Sequence, residues 1–124
     1  MQTGRNPAPG FARNPRKRIT VEPFGGMVTV RRGATVIARS RDALALTEEP
    51  YATVLYVPFG DVDFDRLEKT ATSTHCPYKG DASDWRVKGG ERDVMWAYER
   101  PYDEMEAIGG HAAFYADRVD VETS

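Results

Sequence analysis

The sequence is short of the residue types that most often announce a chemistry. It has one cysteine and two histidines in 124 residues. A single cysteine, Cys76, excludes an internal disulfide and any zinc site built on paired cysteines. His75, Cys76 and His111 offer at most three soft or borderline ligands, and the adjacent pair points to opposite faces of an extended backbone. No metal and no cofactor is therefore expected. No apolar run approaches the roughly 20 residues that a membrane helix needs. The opening stretch MQTGRNPAPGFARNPRKR lacks the apolar middle of a secretion signal, so a cytoplasmic protein is expected. A Ser-His-Asp set cannot be assembled from so few histidines, and no basic-aromatic nucleic-acid motif is present. Membranes and nucleic acids are thus not the expected partners.

What is present describes an ordinary small domain. The length suits a single core, and 40% hydrophobic with 29% charged residues is the balance of a globular chain. Net charge is only −2, but it is unevenly spread. Arg5, Arg13, Arg16, Lys17 and Arg18 face no acid before residue 19, whereas acids dominate from Asp103 onward. Residues 1–17 show no periodicity and read as a flexible basic arm, its first 15 or so residues dispensable for folding, ahead of one β domain at 18–124.

From RITVEP onward short strands dominate. MVTVRRGATVIARS reads as two strands about Arg32-Gly33, and DALALTE as another. YATVLYVPFGDV is a nearly continuous apolar strand stopped by Pro58. DFDRLEKTA has helical spacing at Phe64, Leu67 and Ala71 behind an Asp63 cap, so a short helix is expected there. ASDWRV and ERDVMWAYE are strands flanking the turn KGG. PYDEMEAIGG reads as a helical turn, and HAAFYADRVDVE as the last strand or two. Seven to nine strands with one or two short helices make a mainly β, compact antiparallel domain.

Four stretches carry a family resemblance: VIARSRDALALTEE, TVLYVPFGDV, THCPYKGDASDW and WAYERPYDEMEAIGGHAAFYADRVDV. The CPYKG segment followed by W-x-Y-x-x-P is its most specific part. In these the chain resembles domain-of-unknown-function family 427. The resemblance implies an Mss4-like, β-tent type of architecture. Relatives of that architecture hold zinc through paired CxxC motifs, which this chain lacks, and no established activity comes with the family. Its nucleotidyltransferase-like label finds no support in the residues, because no glycine-rich phosphate loop precedes a helix. Two departures from the family pattern stand out: Asp84 where an aromatic residue is usual, and Ala52-Thr53 where proline is.

The candidate site is built around Thr74–Gly80. Cys76 becomes a nucleophile only if a cation or base stabilises its thiolate, and otherwise is a small buried hydrophobe. Lys79 can offer an ammonium to an anion, beside a Gly80 that lets the backbone approach closely. Trp85, Trp96, Tyr98, Tyr56 and Tyr78 form an aromatic set, with Trp96 and Tyr98 on one face; such a set suits either a pocket wall or a core. Arg41, Glu48 and Asp61 sit at or near strand ends, at a pocket rim or in surface ion pairs. Three functions stay open. The first is binding of a small polar, anionic molecule by Lys79 and Arg41, oriented by Glu48, between Tyr56, Tyr78, Trp96 and Tyr98. The second is an enzyme using Cys76 or Lys79 as nucleophile in the same pocket. The third is a protein-interaction module. A monomer or homodimer fits each of them.

Overall fold

The computed structural model describes residues 5–124. After a five-residue helix, α1 (Pro9–Arg13), come ten strands: β1 (Ile19–Pro23), β2 (Val28–Arg32), β3 (Thr35–Ser40), β4 (Leu44–Glu48), β5 (Val54–Pro58), β6 (Leu67–Cys76), β7 (Gly80–Val87), β8 (Asp93–Ala97), β9 (His111–Phe114) and β10 (Asp120–Thr123). Short 3-10 turns occupy Phe59–Asp61, Phe64–Arg66 and Asp103–Ile108. The strands form a seven-stranded sheet, β1-β4-β5-β9-β8-β7-β6, and a three-stranded sheet, β10-β2-β3. All the named pairings are antiparallel. The mainly β expectation holds. Among the described residues no helix is long and apolar enough to cross a membrane.

Strand alternation divides the core in two. Val57, Trp85, Ala112 and Phe114 of the large sheet pack with Val28, Val30, Ile37 and Ala38 of the small one. Their chain neighbours of opposite parity, Tyr56 and Ala113, join Leu46, Ala82 and Tyr98 in a second cluster. Met105 and Ile108 from the Asp103–Ile108 turn complete that cluster.

One expectation needs correcting. The helix read at DFDRLEKTA is only the 3-10 turn Phe64–Arg66, after which the chain runs as β6 to Cys76. Asp63 does cap it, its Oδ1 accepting the Asp65 N–H at 3.2 Å. The turn stops because Leu67, Glu68 and Lys69 pair with Val87, Arg86 and Trp85 of β7, a tertiary ladder that outweighs local helical spacing. As an outer strand, β6 is mostly exposed and never needed the apolar alternation that would have announced it.

The N-terminal arm makes specific contacts. Its residues 1–4 lie outside the described residues, but from Asn6 the segment is docked. Asn6 and Asp103 exchange hydrogen bonds, Asn6 N–H to Oδ2 at 2.8 Å and Asp103 N–H to Asn6 C=O at 2.9 Å. Ala8 N–H donates to Glu104 Oε1 at 2.9 Å, and Gly10 N–H to the Pro77 carbonyl at 2.9 Å. Phe11 packs edge-on against Tyr78, with ring centroids 5.0 Å apart. Main-chain hydrogen bonds, not an apolar face, hold this segment down, which is why periodicity did not reveal it.

Candidate functional site

Six residues singled out from the sequence converge on the second core cluster. Glu48 ends β4, Tyr56 lies in β5, Cys76 ends β6, Trp96 lies in β8, and Lys79 and Tyr98 follow β6 and β8. Tyr78 and Gly80 flank Lys79, and Gly80 closes the turn by pairing with Cys76. At φ +120 it holds a backbone that L side chains rarely adopt. A Cβ there would also sit 3.3 Å from the Arg100 carbonyl. The turn therefore depends on glycine.

Lys79 is only 8% exposed, and its Nζ donates to Glu48 Oε1 at 2.7 Å. The other carboxylate oxygen, Oε2, meets Lys17 Nζ at 2.9 Å. Burial works to raise the Glu48 carboxyl, but hydrogen bonds from Lys79 and Lys17 outweigh it and hold the group below its ordinary range. The Glu48 hydrogen bond in turn raises Lys17, whose ammonium also lies 5.2 Å from the Tyr78 ring centroid. Burial pushes the Tyr56 hydroxyl up to about 12, against a hydrogen bond with Trp96. Burial likewise raises Tyr98.

Cys76 Sγ lies 3.9 Å from Lys79 Nζ. His75 turns to the other side and meets Asp81 Oδ1 at 2.7 Å on the exposed face, as alternation requires. No three or more His, Cys, Asp or Glu side chains gather to hold a metal ion among the described residues.

Arg41 and Asp61 are not part of this cluster. Arg41 is exposed and precedes β4, at the opposite end of that strand from Glu48. Asp61 accepts a hydrogen bond from Ser40 Oγ and fixes the β3–β4 corner. Trp85 faces the first core cluster beside Phe59 and Phe64. Within the Thr74–Gly80 segment, Lys79 is tied through Glu48 to Lys17. A cleft of about 570 Å³ is lined by Lys17 together with Asn14, Arg16, Arg18, Thr20, Thr47 and Glu49.

A second buried polar group lies outside the candidate site residues. Asp84, 1% exposed, accepts the Tyr115 hydroxyl at 2.6 Å on Oδ2, while its Oδ1 has no partner among the described residues. Arg118 stacks on Tyr115 and donates to the Asp93 carbonyl at 2.8 Å. Burial raises the Asp84 carboxyl against the Tyr115 hydrogen bond. The folded chain then holds this proton more tightly than the unfolded one, so stability falls as pH rises from the ordinary value of 3.8 through the raised one. Asp84→Asn should accordingly melt about 3 °C above wild type at pH 7, with the gap closing near pH 4. An equal loss of stability at both pH values would refute this. The unusual Asp84 was visible in the sequence; its partner Tyr115, thirty-one residues on, carried no signal.

A family described as a domain of unknown function (DUF427) matches residues 20–124. No curated protein matches the chain. The match begins at the second residue of β1 and takes in every later strand and the whole Glu48–Lys79 cluster; the chain belongs to this DUF427 family.

Proposed function

We propose that the domain binds a small anionic molecule in the cleft that Lys17 lines. The observation that carries this reading is the placement of Arg16 and Arg18 on that cleft without an ion pair among the described residues. Asn14, Thr20 and Thr47 add neutral hydrogen-bonding groups, and Glu49 is the one carboxylate on the lining. A volume of about 570 Å³ lies within the roughly 300–1,000 Å³ of small-molecule sites.

In this reading Lys79 is not the ligand's cation, because Glu48 already holds it and it does not line the cleft. Lys17 connects the two: an anion arriving at Arg16 and Arg18 competes with Glu48 for the same ammonium. The β-tent reading of the architecture stays with this proposal. The enzyme alternative gains less. The Lys79 nitrogen is committed to Glu48, and Cys76 makes no hydrogen bond to a histidine or carboxylate among the described residues.

Calorimetric titration with pyrophosphate and with citrate tests the proposal. Saturable binding is expected, falling as salt rises and weakened at least about tenfold in Arg16→Ala/Arg18→Ala. Absence of binding by both anions, or equal affinity in the double variant, would refute it.

A further inference from the structure

The large sheet is joined at its middle by a short ladder. β5 and β9 pair at Val57↔Ala112 and Pro58↔His111, and the ladder goes no further. Continued in register, Leu55 would stand opposite Phe114. The Phe59 N–H bonds to the Gly110 carbonyl at 2.8 Å, so Phe59, Val57 and Leu55 turn their backbone polar groups toward β9. Gly110, Ala112 and Phe114 turn theirs toward β5 by the same alternation. Where the ladder stops, the N–H and C=O of Leu55 and Phe114 face each other across a gap.

A cleft of about 390 Å³ fills that gap. Leu55 and Val57 wall one side and Phe114 the other, while Val28, Val30 and Val121 of the small sheet form the back. Trp96 and Tyr115 supply a ring wall, tilted together with centroids 4.6 Å apart. The Tyr115 hydroxyl is already given to Asp84, so its ring and not its oxygen serves the cleft. Asp117 is the one charged residue on the lining, and its carboxylate is exposed and 3.9 Å from both Arg92 and Arg118. A charged ligand would lose its hydration there without gaining an unpaired opposite charge.

We infer that this gap binds a small, flat, uncharged apolar molecule with a single hydrogen-bonding group, which pairs with the free main-chain edge at Leu55 or Phe114. The apolar walls supply the affinity, and the two interrupted strand edges supply the orientation. This site is independent of the anion cleft: the two share none of their lining residues.

The test uses N-phenyl-1-naphthylamine, an uncharged fluorophore with one N–H, and 8-anilinonaphthalene-1-sulfonate, the same ring system with a sulfonate. The neutral probe should bind one per chain, with energy transfer from tryptophan, and at least about tenfold more tightly than the sulfonate. Leu55→Trp places a ring in the gap and should weaken the neutral probe at least about tenfold. Ala116→Trp, at an exposed lining position, should weaken it as well, and it keeps the test decisive if the first variant misfolds. No saturable binding to folded protein, unchanged affinity in Ala116→Trp, or equal affinity for the sulfonate overturns the inference. So does self-association by sedimentation that the neutral probe disperses, because the occupant would then be a second copy of the chain.

Discussion

Lys79→Met should lower the melting temperature by roughly 10 °C at pH 7, a loss of about 3 kcal/mol. The substitution keeps most of the stem's bulk, so packing changes little; what it removes is one of the two cations on a mostly buried carboxylate. Glu48 would keep only Lys17, which rides on the more exposed N-terminal segment. Glu48→Leu on the Lys79→Met background should recover most of the loss, because the stranded charge goes with it. The pH dependence has a definite sign. Glu48 is depressed in the folded chain, so its contribution is complete above the ordinary 4.5 and disappears as pH falls through the lower folded value. Wild type should therefore lose stability through that acid range more steeply than Lys79→Met. Thermal melts from about pH 3 to pH 7 measure both effects, and a Lys79→Met variant melting within about 2 °C of wild type at neutral pH would contradict them.

Gly10→Val should release the N-terminal segment. A Cβ at Gly10 would lie 2.8 Å from two ring atoms of Tyr78 and 2.9 Å from the Pro77 carbonyl. The ring is itself held by Phe11 and the carbonyl by the Gly10 N–H, so neither can retreat without undoing the docking. The expected cost is about 5 °C in melting temperature, together with fast tryptic cleavage after Arg13 and Arg16. Removing residues 1–15 should cost about as much. If Gly10→Val is cut no faster than wild type and melts with it, the segment is not held by these contacts.

The strands were legible wherever one face is buried. TVLYVP could be read because Leu55 and Val57 serve one cluster and Val54 and Tyr56 the other. The convergence of Glu48 with Cys76 and Lys79 was only half visible. The turn at Gly80 announces the second and third, but Glu48 reaches them through the register of β4 on β5, Leu46 on Val54, which no local pattern encodes. Arg41 and Glu48 both sit at or near strand ends, but they lie beyond opposite ends of the five-residue β4, too far apart to share one site. β6 was hidden because it is held by main-chain hydrogen bonds and leaves little apolar trace, and the contacts of the N-terminal segment are of the same kind. The gap between β5 and β9 is a ladder that ends early, and side-chain types do not say where a ladder ends.

β10 binds β2, with Thr123 opposite Val28 and Asp120 opposite Arg31. This pairing joins two strands almost a whole chain apart. On a ribosome, β2 and β3 can form their hairpin early, but the small sheet has only two of its three strands until residue 123 has been made and has cleared the exit tunnel. Val28 and Val30, at the back of the gap and in the first core cluster, would remain partly uncovered during that interval. The domain is thus expected to complete its fold slowly, and only once β10 has emerged, since nonlocal strand pairing carries a high loop-closure cost. During synthesis, the apolar surface that a chaperone would shield is the same surface that later forms the back of the gap.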